Sequence, residues 1–147
     1  MSKYTLDQLQ HALGKVFKIE PSHDGSMAQI QTKGDHNLGL IVFEEDIIEA
    51  DLSCRWLTAD KKPRGFSGEK DIAAARQEVV EKLLPDWETA GFRVDDDEPG
   101  GGIALMNPEA EDSLPIFKLL VVKDVPTLED AVKTIQWMRT AEMETWA

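Results

Sequence analysis

Cysteine and tyrosine are nearly absent from this chain: each occurs once, as Cys54 and Tyr4. A single thiol closes no internal disulfide, which fits a reducing cytoplasm and a fold held by burial rather than by cross-links. Basic residues are scarce as well, 16 Lys and Arg against 28 Asp and Glu, leaving a formal net charge of −12. Such a surface repels a phosphate backbone rather than neutralising it, and it repels an anionic membrane face in the same way. Nucleic acid and membrane are therefore not expected partners; a basic or apolar protein is. No apolar run approaches the ~20 residues of a bilayer-spanning helix. Met1-Ser2-Lys3-Tyr4 offers no apolar signal region, so a cytoplasmic location is expected. What is present, 147 residues of which 41% are hydrophobic and 30% charged, suits a single soluble domain over residues 1–147.

The most apolar stretch is Leu114-Pro115-Ile116-Phe117-Lys118-Leu119-Leu120-Val121-Val122. Its β-branched and aromatic content predicts a strand covered on at least one face. Pro126 stops it, and Thr127 follows as a helix N-cap with Asp130 three residues on, a capping-box variant. Leu128, Ala131, Val132, Ile135 and Met138 then recur at helical spacing, and the helix is read as running on toward Trp146.

Taken from the start, Thr5 and Gln8 form a capping box for a helix with an apolar stripe of Leu6, Leu9, Leu13, Val16 and Phe17. Pro21 and Asp24-Gly25 make a turn. Strands are expected over Ser26–Lys33 and Leu38–Phe43. Ile48–Trp56 alternates without a break, with Ile48, Ala50, Leu52, Cys54 and Trp56 on one face, the pattern of an antiparallel sheet wet on one side. A polar loop over Ala59–Gly68 leads into a second helix bearing Ile72, Ala75, Val79, Leu83 and Trp87. Ala73, Val80 and Leu84 widen its apolar arc beyond what one packing face needs. Pro85 either kinks that helix or opens a short continuation, which Gly91 terminates. Phe92-Arg93-Val94 and Ile103-Ala104-Leu105-Met106 read as a further, interrupted strand, and Asn107–Ser113 as a polar connection. The expected fold is α+β, in the order α-β-β-β-α-β-β-α, an antiparallel sheet with helices packed on it.

That order, the size and the acidity resemble the small chaperones of bacterial type III secretion and the wider group sharing their fold, including YbjN-like proteins. The resemblance is carried by Leu6-Asp7-Gln8-Leu9-Gln10-His11-Ala12-Leu13-Gly14 and by a closing helix with Leu128 and Val132 early and Trp146 late. It implies a homodimer without enzymatic activity that wraps an extended segment of a client protein.

His23-Asp24 and Asp35-His36 combine zinc-ligand types but lack ligand spacing, so polar turns are expected. Asp95-Asp96-Asp97-Glu98 has a glycine, Gly100, at the sixth position of a calcium loop, but Met106 stands where a bidentate Glu belongs. Gly100-Gly101-Gly102 lacks the Lys and Ser or Thr of a phosphate loop. Cys54 falls on the dry face of its strand and is expected to be a buried thiol. Neither a catalytic constellation, a metal site nor a cofactor is therefore expected. For partner binding the candidates are the basic cluster Lys61, Lys62 and Arg64, the wide arc at Val80 and Leu84 as a dimer surface, and Trp137. With Leu128 at the centre of the core stripe, Trp137 falls about 180° away, and an outward Trp suits a partner contact. Two binding functions fit: a chaperone-like or adaptor protein holding a partner polypeptide, or an immunity protein neutralising a basic toxin domain.

Overall fold

The structure, a computed structural model, describes residues 4–34, 36–57, 63–64, 69–96, 100–105 and 115–146. These residues form an α+β fold of four helices and nine short strands that divides into two compact units. One unit comprises Met1–Ala50 with Val122–Ala141, the other Asp51–Val121 with Glu142–Ala147.

The first unit opens on helix α1 (Leu6–Leu13), whose capping box is present as expected. Thr5 N–H donates to Gln8 Oε1 at 2.9 Å and Gln8 N–H to Thr5 Oγ1 at 3.2 Å. The helix is shorter than the apolar stripe suggested. It ends at Gly14, Val16 is 44% exposed, and Phe17 instead begins strand β1 (Phe17–Pro21). Phe17 and Ile19 are buried while Lys18 and Glu20 are exposed. This period-two pattern of four residues was masked by the helical spacing of Leu13, Val16 and Phe17.

Strands β2 (Met27–Thr32), β3 (Asn37–Val42) and the start of β4 (Ile47–Leu57) follow as an antiparallel meander in the order β1-β2-β3-β4. Ile30 pairs with Gly39 and Gln31 with Asn37, so Leu38 is the extra residue of a bulge. The bulge explains why Leu38 and Ile41, three apart, are both buried. Gly39 has a steric role: a Cβ there would stand 2.3 Å from Glu49 O and 3.0 Å from Met138 Cε.

Helix α4 (Leu128–Met138) packs against α1. Its Thr127 cap accepts from Asp130 N–H at 3.1 Å. The β3–β4 turn places Asp46 in the left-handed region at φ 51°, a conformation Asp tolerates better than most residues. Val125 N–H donates to Asp46 O at 2.7 Å, Tyr4 Oη–H donates to Val125 O at 2.8 Å, and the Tyr4 ring lies edge-on to Phe43.

The second unit holds helices α2 (Glu69–Lys82) and α3 (Leu84–Thr89), with Pro85 in the first turn of α3. Pro85 is thus a helix start and not a kink in α2. Gly91 follows at φ 102°, and Phe92 N–H donates to Trp87 O at 2.9 Å, closing the helix end. Phe92 meets Trp87 edge-to-face at 4.8 Å.

Strand β8 (Pro115–Asp124) confirms the apolar stretch as sheet. Adjacent Ile116 and Phe117 are both buried, which covers both faces of that strand at its start. Strands β6 (Arg93–Val94) and β7 (Gly102–Leu105) both pair with β8, as an interrupted strand should. Strand β5 (Pro63–Arg64) pairs with Trp56 and Leu57 of β4.

The last described element corrects the closing-helix expectation. Arg139 caps α4, and Glu144–Trp146 form strand β9, parallel to β4. The charged residues Arg139 and Glu142 had marked the end of the apolar stripe; beyond them the chain turns extended. No helix among the described residues is long and apolar enough to cross a membrane.

Candidate functional site

The partner-binding candidates separate. Val80 is exposed (41%) on α2, whereas Leu84 is buried (7%) with Leu83 and Trp87. The helix break before Pro85 explains the split: Leu84 no longer continues the α2 arc but starts α3, where it turns inward. Leu84 is therefore a core residue and not a contact surface. On α4 the buried residues are Ala131, Thr134, Ile135 and Met138, with Leu128 and Val132 half-buried. The stripe is thus centred off Leu128, and Trp137 lies on its flank, half-buried rather than opposite to it. Arg64 lies in β5, paired with Trp56. Lys61 and Lys62 are outside the described residues, as are Asp35, Asp97, Glu98 and the connection over residues 107–113.

The turn candidates have structural employment. Asp24 Oδ1 accepts from Ser22 Oγ–H, Ser26 N–H and Ser26 Oγ–H at 2.8–3.0 Å. The Ser26 backbone bond, then the two hydroxyls, hold its carboxyl below the usual carboxylate range. His36 N–H donates to Thr32 Oγ1 at 3.2 Å in the next turn. Among the described residues no group of three or more His, Cys, Asp or Glu could hold a metal ion. The glycine turn is clamped: Arg76 Nε–H donates to Gly100 O at 2.6 Å, and Gly101, at φ 69°, sits so close to β8 that a Cβ would lie 2.5 Å from Lys118 O.

Two ionisable groups are strongly perturbed. Burial pushes the Cys54 thiol up to about 11, with the Glu78 carboxylate adding to the effect. Such a thiol is neutral at pH 7 and a poor nucleophile. Burial also raises the Tyr4 phenol, with Asp46 and Asp130 contributing. Sequence patterning gave no sign of this Tyr4–Asp46–Asp130 neighbourhood, because it joins residues remote in the chain.

The feature with the most specific polar geometry is the edge of β4 at Ser53–Arg55, where residues 142–146 are laid down. Ser53 N–H and Ser53 Oγ–H both donate to Met143 O, at 2.9 and 3.3 Å. The indole of Trp87, wholly buried, donates Nε1–H to Glu142 O at 2.9 Å. The register Ser53↔Glu144, Cys54↔Thr145, Arg55↔Trp146 is parallel, and α2 packs on β9. Two side-chain donors thus read two successive carbonyls of an extended segment, and a buried indole N–H left without an acceptor would cost about 1–3 kcal/mol. The sequence signal for this site was slight: a Trp seven residues after Val80, and apolar Met143 and Trp146 among charges beyond Met138.

The chain matches no family model, and comparisons with curated proteins and with solved structures found no match.

Proposed function

We propose that this protein is a non-enzymatic, chaperone-like or adaptor protein that binds a partner polypeptide and acts as a homodimer in the cytoplasm. The observation that carries the reading is the net charge of −12 combined with an exposed valine, Val80, on α2. Charge of one sign steers a basic partner at long range, with a reach of ~8 Å at physiological ionic strength. Apolar side chains hold the complex once it has formed. Val80 serves association between copies, and Trp137, whose ring is half-buried, presents its remaining surface to the partner.

Affinity capture with the tagged full chain tests the reading, run at low and at high salt beside Trp137→Ala and Val80→Glu variants. A basic partner retained at low salt, lost at high salt and weakened by Trp137→Ala supports it. Light scattering supplies the second arm: a dimer at micromolar concentration that Val80→Glu converts to a monomer. A wild-type monomer removes the dimer, and capture indifferent to both salt and Trp137→Ala removes the binding mode.

A further inference from the structure

Helix α2 buries Ala75 and Val79 and exposes Lys70, Ala73, Gln77, Val80 and Glu81. At ~100° per residue those five exposed side chains fall within an arc of about 100°, centred opposite Ala75 and Val79. Val80, 41% exposed, is the large apolar side chain of this stripe.

The stripe has an order. Ala73 and Val80 lie on one flank, Lys70 and Glu81 on the other, and Gln77 lies between them. Neighbouring charges on the helix are already engaged, since Lys82 pairs with Glu78. Gln77 Nε2–H donates to Glu81 Oε1 at 2.9 Å, which leaves the second carboxylate oxygen of Glu81 for another donor. Lys70 forms no ion pair among the described residues.

Such a stripe is its own complement under two-fold symmetry. A second α2 is turned antiparallel about an axis perpendicular to the helix at the level of Arg76 and Gln77. The operation keeps each flank on its own side and reverses position along the helix. Ala73 and Val80 stand equally far from that level in opposite directions, and so, to within one residue, do Lys70 and Glu81. Val80 of each copy therefore meets Ala73 of the other, a large side chain over a small one, which suits close helix packing. Lys70 of each copy meets Glu81 of the other. An isologous contact makes every such pair twice.

Charge selects the occupant. The stripe carries one cation and one anion, so neither a basic nor an acidic partner is matched by it. Copies of net charge −12 repel each other, with a reach of ~8 Å at physiological ionic strength. A contact between them requires a locally neutral patch whose opposite charges are opposed. The two-fold arrangement of this stripe supplies one.

We propose that the outward stripe of α2 docks a second copy of this chain, the two α2 helices antiparallel about a two-fold axis near Gln77, with Val80 on Ala73 and Lys70 on Glu81. The proposal rests on the homodimer reading above and adds to it the symmetry, the register and the charge pairs that fix it.

Sedimentation equilibrium of the full chain across micromolar concentrations tests it, with Lys70→Glu, Glu81→Lys and the double variant beside wild type. Both positions are exposed, so the core is untouched. Either single change sets like charges against each other twice and should weaken the dimer roughly tenfold. Glu81→Lys is the sharper of the two. It moves the net charge from −12 to −10 (−12 + 2), which would strengthen association if overall repulsion alone mattered. The double variant restores both pairs with their signs exchanged. An equimolar mixture of the two single variants likewise opposes unlike charges at every contact. Both should recover the wild-type dissociation constant. Single variants that dimerise as wild type does, or a double variant and mixture no tighter than the single variants, overturn the proposal and leave the dimer standing. A wild-type monomer throughout overturns the proposal and the homodimer reading together.

Discussion

In the first unit each strand from β2 to β4 pairs with the one before it, through turns such as Ser22–Ser26 and Phe43–Asp46. In the second unit β5 and β7 also pair with a sequence neighbour, but the last strand is remote: Ser53 and Met143 lie 90 residues apart in the chain, and Trp87 and Glu142 lie 55 apart. Local pairing demands little loop closure, while remote pairing must bring distant segments together before any contact forms. The β1–β4 meander of the first unit is therefore specified by turns, caps and alternation, while α4 joins it through remote contacts such as Tyr4 to Val125. The second depends on a few side chains, Trp87 foremost, that gather distant segments.

The largest test of that difference is Trp87→Ala. Losing a fully buried indole, its edge contact with Phe92 and its bond to Glu142 O should cost about 3–5 kcal/mol in a denaturant titration. The same variant should deprotect Ser53 N–H in exchange experiments while leaving β1–β3 amides largely protected. Loss of protection in both units together would erase the distinction.

A smaller effect is expected at Gly101. Alanine there meets the left-handed backbone penalty and collides with Lys118 O and with Phe117 Cζ, at 2.5 and 2.7 Å. Together these should lower stability by about 2–3 kcal/mol, read as a shift of the urea midpoint. In the first unit, Thr5→Ala and Thr127→Ala each remove a helix cap and should cost about 1 kcal/mol by the same measurement.

Alkaline titration separates the units by pH rather than by site. The Cys54 thiol is raised from 9.0 to about 11 in the folded state, so the native protein holds this proton longer than the unfolded chain. Its contribution to stability is complete below pH 9 and is lost as pH rises from 9 through about 11. Tyr4 is raised from 10.0, and its contribution falls only above pH 10. Thermal melts of Cys54→Ala should lose the decline between pH 9 and 10. An unaltered decline in that variant would place its origin elsewhere. Native Cys54 should also react with a thiol reagent far more slowly than in denatured protein.

Much of the first unit was legible beforehand. The capping box at Thr5 and Gln8, the alternation of Ala28 and Ile30, and the dry face at Ile48 and Ala50, which runs on into the second unit at Leu52 and Cys54, all appear in the structure, because each is written within a few residues. The errors share one origin. Phe17 happens to continue the spacing of Leu9 and Leu13, Leu84 that of Val80, and Trp146 that of the last helix. Helical periodicity alone does not say where a helix stops. A glycine cap at Gly14, a proline at Pro85 and the charges Arg139 and Glu142 decide those points. The strand-edge site was invisible for a different reason, since nothing near Ser53 or Trp87 in sequence announces a segment some 90 or 55 residues away.

Native-state hydrogen exchange against denaturant most directly tests the claim that the remote pairing of β9 with β4 is held less firmly than the local meander β1–β3. The amides of Ala28 and Ile30, within the β1–β3 meander, should exchange only through global unfolding, with its full denaturant dependence. Ser53 N–H, bonded to Met143 O, should exchange through a smaller opening with a shallow dependence. Identical opening free energies and slopes at Ile30 and Ser53 would contradict the account.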